Sequence, residues 1–182
     1  MNYIQTEIDG VWIIEPKVFT DYRGYFMEAF KKEEFEKHIG VVDFIQDNES
    51  KSSFGVLRGL HYQKGECSQA KLVRVIKGRV LDVAVDLRQS SPTFGKHVSV
   101  ELNEENKRQF FIPRGFAHGF LVMSEEAIFT YRVDNPYAPQ SEASIVYNDK
   151  DLNINWPIAE EQIIMSEKDC QAVSFKDAVA YK

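Results

Sequence analysis

The chain reads as a mainly β protein, a jelly roll with short helices at its periphery, and three observations lead there. Runs rich in β-branched and aromatic residues recur through most of the stretch from Val11 to Tyr147. Turn-forming residues separate them, at Lys77-Gly78, Ser91-Pro92-Thr93 and Asn135-Pro136. Helical periodicity shows in only two places, both at the edges. About ten short strands with so few helical patterns between them favour an antiparallel sandwich or barrel, for which the jelly roll is a common closed arrangement.

Taken in order, residues 12–14 and 25–30 supply the first apolar runs. Lys31-Lys32-Glu33-Glu34-Phe35-Glu36-Lys37-His38 follows, and Phe35 and Ile39 stand four apart in an otherwise charged stretch, which predicts a short surface helix. Further strands are predicted over 44–46, 56–63 and 72–76. The clearest alternation lies in residues 79–88, where Leu81, Val83, Val85 and Leu87 fall on one face and Asp82 and Asp86 on the other. That period of two predicts a strand buried on one side only. Strands over 97–102, 109–112, 120–123 and 128–133 complete the set. Near the end, Ser166 precedes Glu167-Lys168-Asp169, a serine before an acid-rich turn that suits a helix N-terminus.

Length and charge bound the function. At 182 residues the chain predicts one domain, residues 1–182, with a full core, and no repeat, linker or low-complexity segment divides it. The net charge is −6, from 22 basic and 28 acidic residues spread along the chain, so no basic tract points to nucleic acid or to a membrane surface. Met1 begins a polar segment without an apolar leader, and no run approaches membrane-spanning length, which gives the expectation of a cytoplasmic protein. Cys67 and Cys170 form no metal or redox pattern and suit a reducing compartment.

The four histidines are not equivalent. His38 on the charged helix and His97 at a strand start read as solvated surface residues. His61 stands in Arg58-Gly59-Leu60-His61-Tyr62-Gln63 with no second histidine beside it, and reads as a proton-transfer group sharing a strand face with an anion-binding arginine. His118 enters a strand from the turn Pro113-Arg114-Gly115-Phe116-Ala117, a segment that matches the second cupin motif. Metal-binding cupins pair that motif with an earlier His-x-His and a glutamate; here the matching strand offers His61 alone, and Gln63 is a poor substitute ligand. The expectation is therefore no metal. General-base work needs an acceptor behind the imidazole; Asp169 is a candidate, and the plainer alternative is that it only begins a helix.

Isolated cations and aromatics fill in the picture. Arg23, Arg58, Lys71 and Arg74 each sit in or beside an apolar run, where a charge needs a partner or an anionic ligand. Lys71 and Arg58 favour a ligand; Arg74, on the other face of its strand from Lys71, favours a salt bridge. Tyr131, Tyr137 and Phe26 lie in strand or strand-end contexts, where packing is the default role, and where a tyrosine facing a histidine can donate a proton or an aromatic at the mouth can stack on a base.

Several blocks together carry a specific likeness: Asp21 to Glu28, Gln46-Asp47-Asn48, Arg58 to Gln63, Lys71 to Arg74, Asp82 to Arg88, Pro113 to Phe120 and Tyr131 to Glu142. In order and spacing they resemble the dTDP-4-dehydrorhamnose 3,5-epimerase family across nearly the whole chain. The resemblance implies a cupin-type double-stranded β-helix and a homodimer whose N-terminal strands cross to the partner, with the C-terminal helical segment packed on the barrel. It implies a dTDP-sugar substrate, dTDP-4-dehydro-6-deoxy-D-glucose, inverted at carbons 3 and 5, and no cofactor. The roles it implies are His61 as base, Asp169 behind it, Tyr131 as proton donor and Lys71 at the keto oxygen. Substrate contacts would come from Arg23, Phe26, Glu28, Gln46, Asp47, Asn48, Arg58, His118, Glu142 and Lys168, with Tyr137 stacking on thymine. Pro136 stands where many relatives carry an aromatic. Two alternatives stay open: a sugar-nucleotide epimerase that inverts a single carbon, and a non-catalytic cupin that binds a nucleotide sugar.

Overall fold

A computed structural model of the chain describes residues 1–181; the last residue of the expected domain, Lys182, lies outside the described residues. Two antiparallel sheets face each other. The first has six strands in the order β1 (Asn2–Gln5), β2 (Trp12–Glu15), β10 (Gln109–Ile112), β7 (Lys71–Lys77), β12 (Glu126–Val133) and β5 (Gln46–Ser53). The second has five, β13 (Glu142–Ser144), β6 (Leu57–Gln63), β11 (Phe116–Val122), β8 (Arg79–Asp86) and β9 (His97–Asn103). A separate hairpin of β3 (Val18–Asp21) and β4 (Gly24–Met27) pairs only with itself. Helix α1 (Lys32–His38) and the one-turn α2 (Glu167–Cys170) lie at the periphery. Among the described residues no helix is long and apolar enough to cross a membrane.

The space between the sheets is filled from both sides. Val73, Val75, Phe110, Ile112 and Phe129 of the first sheet meet Val80, Ala84, Val98, Val100, Leu102, Phe116 and Phe120 of the second. Burying that apolar surface is the main driving force for the fold. A second cluster covers the outer face of the five-stranded sheet, where residues of the C-terminal segment such as Ile145, Leu152, Phe175 and Tyr181 pack on Leu60, Tyr62, Val83, Val85 and Leu87.

With one face of β8 against the facing sheet and the other under the C-terminal segment, one sequence expectation is corrected. Residues 79–88 were expected to be buried on one side, yet Asp82 and Asp86 are as inaccessible as the valines between them, both at 0% exposure. Periodicity predicts which residues share a face, but not what the rest of the chain lays over the other face. Asp86 answers its burial with hydrogen bonds from Arg88, Ser91 and Thr93. Burial pushes its carboxyl up, but these bonds outweigh it and hold the group at about 2.

Other strand limits differ too. The predicted 25–30 run stops at Met27, the 120–123 run begins four residues earlier at Phe116, and the 44–46 run is the entrance to the longer β5. β1, β3 and β13 are four residues or fewer and carried no alternation to find. Burial draws His97 into a half-buried position, where its pKa is lowered by desolvation, whereas His38 stays exposed and stacks on Tyr3.

The feature that positions the site is an irregularity in β6. Arg58 and His61 are three residues apart, so strict alternation would place them on opposite faces. Opposite β11, however, His61 pairs with His118 while Arg58 pairs with Phe120, so three steps on β6 match two on β11. Leu57 and Leu60 consequently both point outward into apolar clusters, and Arg58 and His61 both point inward. Gly59 is the extra residue. Its φ is 125°, and a Cβ there would lie 2.5 Å from the Cα of Gly119 and 2.7 Å from the carbonyl oxygen of His118.

Gly59→Ala is expected to cost about 2–4 kcal/mol of stability, from the positive φ and the clash with the β11 backbone together. Denaturant unfolding measures this, and an unchanged midpoint would contradict the bulge as described.

Candidate active site

The two sheets bring chemistry-bearing side chains to one end of the barrel. On the five-stranded sheet, β6 supplies Arg58, His61 and Gln63, β11 supplies His118, and β13 supplies Glu142. On the six-stranded sheet, the pairing of Val133 with both Lys71 and Gln46, and of Tyr131 with both Val73 and Asn48, puts Lys71, Gln46, Tyr131 and Asn48 on the inward face. Arg58 and Tyr131 interact electrostatically, as do His61 and Glu142, and Lys71 and His118, so these groups share one cavity.

His61 has a carboxylate behind it. Its Nε2 bonds Asp169 Oδ1, and Asp169 is buried while the imidazole remains about a third exposed to the cavity. A carboxylate only accepts, so Nε2 carries the hydrogen and Nδ1 presents a lone pair to the cavity. Asp169 is itself fixed: Ser166 caps α2 by accepting from the Asp169 amide at 3.2 Å and donates its hydroxyl to Oδ2 at 2.7 Å. Burial works against the ionised Asp169, but the hydrogen bonds from His61 and Ser166 outweigh it and lower the pKa. The helix-start role and the partnership with His61 thus coexist in one residue.

His118 has its own carboxylate, which the residue pattern did not single out. Its Nε2 lies 2.9 and 3.0 Å from the two oxygens of Asp82, wholly inside the barrel. Burial lowers the His118 pKa, against the opposing pull of Asp82. The available signal was an acid in the middle of an aliphatic strand, a position that demands a partner.

Lys71 is partly buried, and desolvation lowers its ammonium to about 8; Asp82 and then Glu142 pull it back upward through charge. Burial raises Tyr131, so its hydroxyl keeps its proton at neutral pH. At the mouth, Arg58 Nε donates to the buried Ser52 Oγ at 3.1 Å, leaving the rest of the guanidinium exposed. Lys168 on α2 pairs with Glu142, which also accepts from the Tyr137 hydroxyl at 2.5 Å. The loop carrying Tyr137 is held from beneath by Gln63, which donates to the carbonyls of Cys67 and Pro136 and accepts from the Ala138 amide. Gln63 therefore orients the 135–138 loop, and Tyr137 stands 55% exposed above it.

Not every candidate converges. Asp47 lies on the opposite face of β5 from Gln46 and Asn48 and pairs with Arg132 at 3.0 Å, on the barrel exterior. Arg74 is on that exterior too, with Leu72, Gln109 and Thr130 around a depression of about 250 Å³. Arg23, Phe26 and Glu28 are exposed on or just after the β3–β4 hairpin, with Arg23 bonded to Asp21 rather than to any cavity group. Among the described residues no three His, Cys, Asp or Glu side chains converge as a metal-holding group.

The arrangement offers an imidazole backed by a carboxylate, a neutral phenol on the facing sheet, a partly buried ammonium on the same sheet as the phenol, and cations at the mouth. It suits abstraction of a proton next to a carbonyl in an anionic substrate. Comparison with known proteins agrees. Residues 5–177 match the family model described as dTDP-4-dehydrorhamnose 3,5-epimerase. The protein of that name from Shigella flexneri is 55% identical over 179 residues, covering 98% of each chain. Among solved structures, a dTDP-4-dehydrorhamnose 3,5-epimerase from Elizabethkingia anophelis superposes with a TM-score of 0.94 at 56% identity, covering 97% of each chain. A dTDP-6-deoxy-D-glucose-3,5-epimerase from Legionella pneumophila, solved with dTDP-4-keto-L-rhamnose, gives 0.94 at 51% identity, over 98% of this chain and 94% of the other.

Asp169→Asn should lower kcat by roughly 10²-fold, because the amide neither fixes the His61 tautomer nor stabilises the imidazolium, while dTDP affinity changes less than about threefold. Ser166→Ala should give a smaller loss in the same direction. Steady-state kinetics with dTDP titration checks both.

Proposed function

This chain belongs to the dTDP-4-dehydrorhamnose 3,5-epimerase family, and on that premise we propose that it inverts carbons 3 and 5 of dTDP-4-dehydro-6-deoxy-D-glucose through the residues gathered around His61. The product is dTDP-4-dehydro-L-rhamnose, and the enzyme is an isomerase of sugar-nucleotide biosynthesis working in the cytoplasm. The observation that carries the catalytic assignment is the placement of His61 and Tyr131 on facing sheets. Inversion requires a proton to leave one face of a sugar carbon and another to arrive on the opposite face. A ring lying between the sheets has a base on one side and a donor on the other.

The carbon 4 ketone makes the hydrogens on carbons 3 and 5 acidic, since the electrons of the broken C–H bond move onto the ketone oxygen. Nδ1 of His61 takes the proton, and Asp169 stabilises the resulting imidazolium. Lys71 meets the negative charge that develops on oxygen, and at about 8 its ammonium is mostly charged at neutral pH. Tyr131, kept protonated by burial, supplies the new proton from the other side. His118 contacts the sugar beside Lys71. Arg58 and Lys168 at the mouth hold the diphosphate end, and Tyr137 stacks on thymine, with Gln46, Asn48 and Glu142 completing the wall. The Asp47 side chain is committed to Arg132 on the exterior and stands apart from this set.

The hairpin makes the case for a second copy. Tyr22 is 97% and Phe26 66% exposed, beside Phe19 and Tyr25, on a two-stranded ribbon that a single chain leaves uncovered. Isolated hairpins with aromatic faces gain stability by packing elsewhere. We propose that the protein is a homodimer in which this hairpin delivers Arg23, Phe26 and Glu28 to the partner's nucleotide pocket.

Two experiments test these statements. In deuterated water, Tyr131→Phe should exchange the carbon 5 hydrogen without inverting the carbon, since His61 can still remove and return a proton on its own face; loss of exchange would refute the division of roles. With the native enzyme, exchange at one carbon alone would favour the single-carbon epimerase. For the dimer, His61→Ala and Arg23→Ala should each be nearly inactive, and mixing them through refolding should restore about a quarter of native activity, because half the dimers then hold one intact site. No recovery on mixing would contradict the shared site.

A further inference from the structure

Asp82 is a carboxylate enclosed in apolar surroundings at the centre of the barrel. Its register partners are Phe120 on β11 and Val100 on β9, and Val80 and Ala84 flank it on its own strand's inward face. One N–H, from Nε2 of His118, is shared between its two oxygens. A carboxylate has about four lone-pair sites, so a single shared donor leaves much of the charge to act through the low-dielectric interior. The cation placed to feel it is Lys71, on the facing sheet, and Asp82 is the largest charge acting on that ammonium, ahead of Glu142. Neither carboxylate hydrogen-bonds to it.

We propose that Asp82 is a positioning residue for the epimerisation: by directing its hydrogen bond to His118 and its charge to Lys71, it keeps the ammonium charged inside the barrel while leaving that ammonium's donors for the substrate's carbon 4 oxygen. A carboxylate bonded directly to Lys71 would stabilise the charge equally well but compete with the developing oxyanion for the same N–H groups. Interposing His118 removes the competition. It also sets the His118 tautomer, since Nε2 must carry the hydrogen facing Asp82 and Nδ1 is the nitrogen left for the cavity. The inference rests on the assignment of Lys71 to the keto oxygen made above.

The charged and titratable groups facing Lys71 are Asp82 from β8, Glu142 from β13 and His118 from β11, with His61 and Arg58 of β6 and Tyr131 of β12 closing the same cavity. Of these, Asp82 favours the ammonium most strongly. Without its charge, Lys71 loses its proton at lower pH. The enzyme's rate, which falls once Lys71 is neutral, then falls earlier on the alkaline side.

The test uses Asp82→Asn, which keeps the shape and a hydrogen-bond acceptor toward His118. The alkaline limb of kcat/KM should move down by about one pH unit or more, and kcat at pH 8 should fall at least about fivefold, with dTDP affinity within about threefold of native. Adding Lys71→Arg to Asp82→Asn should recover part of the lost rate and flatten the alkaline limb, since a guanidinium stays charged without help. A side-chain NMR titration of lysine-labelled native enzyme should place Lys71 at about 8. An unmoved alkaline limb in Asp82→Asn, no recovery from Lys71→Arg, or a native Lys71 already mostly neutral at pH 7 would each overturn the proposal. The native titration can refute the proposal even where Asp82→Asn does not fold. Lys71→Met separates this from the underlying assignment: if it leaves carbon 5 exchange at the native rate, Lys71 does not serve the oxyanion and the reading of the site fails as well.

Discussion

The site depends on one extra residue in one strand. A regular β6 would have sent Arg58 and His61 to opposite sides of the five-stranded sheet, with one of them facing the C-terminal layer. The bulge at Gly59 puts both in the cavity, and it exists because two glycines, Gly59 and Gly119, let the β6 and β11 backbones approach more closely than any Cβ permits. Register then propagates the effect. With His61 opposite His118, and Ser144 of β13 on its other side, Glu142 and Gln63 fall on the same inward face two residues away.

Around that register the barrel handles buried charge by pairing each of the two cavity imidazoles, His61 and His118, with its own carboxylate. Asp169 comes from outside, on a one-turn helix of the C-terminal segment, and its burial depends on that segment packing over the sheet. Asp82 comes from inside. Because the two carboxylates approach from different layers, His61 and His118 each present the opposite nitrogen to one cavity. The two rings differ in exposure: His61 is about a third open to the cavity, whereas His118 is almost fully enclosed.

Much of this was legible in the residues. The alternation in residues 79–88, the apolar runs at β7 and β12, and the serine before the acid-rich turn all describe local structure, and they placed Lys71, Tyr131 and Asp169 on the elements where they are found. Two things were hidden for physical reasons. The strand β5, Gln46–Ser53, is polar throughout because it is a sheet edge whose inward face lines the cavity instead of a core, so it shows no hydrophobic period. Asp82 looked solvent-facing because alternation reports the side of a strand, and the facing sheet is a long-range fact. The bulge itself left only a trace, a glycine inside an apolar run. The grouping of the hairpin residues with the cavity came from family likeness, and no spacing argument would have joined Arg23 and Phe26 to His61.

The central claim is that a sugar ring lies between the sheets with His61 on one face and Tyr131 on the other. A crystal structure of the enzyme with a non-epimerisable dTDP-sugar tests it most directly. The expected result is Nδ1 of His61 and the Tyr131 hydroxyl on opposite faces of the ring, with Lys71 Nζ within hydrogen-bond reach of the oxygen on carbon 4. Both side chains on one face, or Lys71 turned from that oxygen, would contradict it.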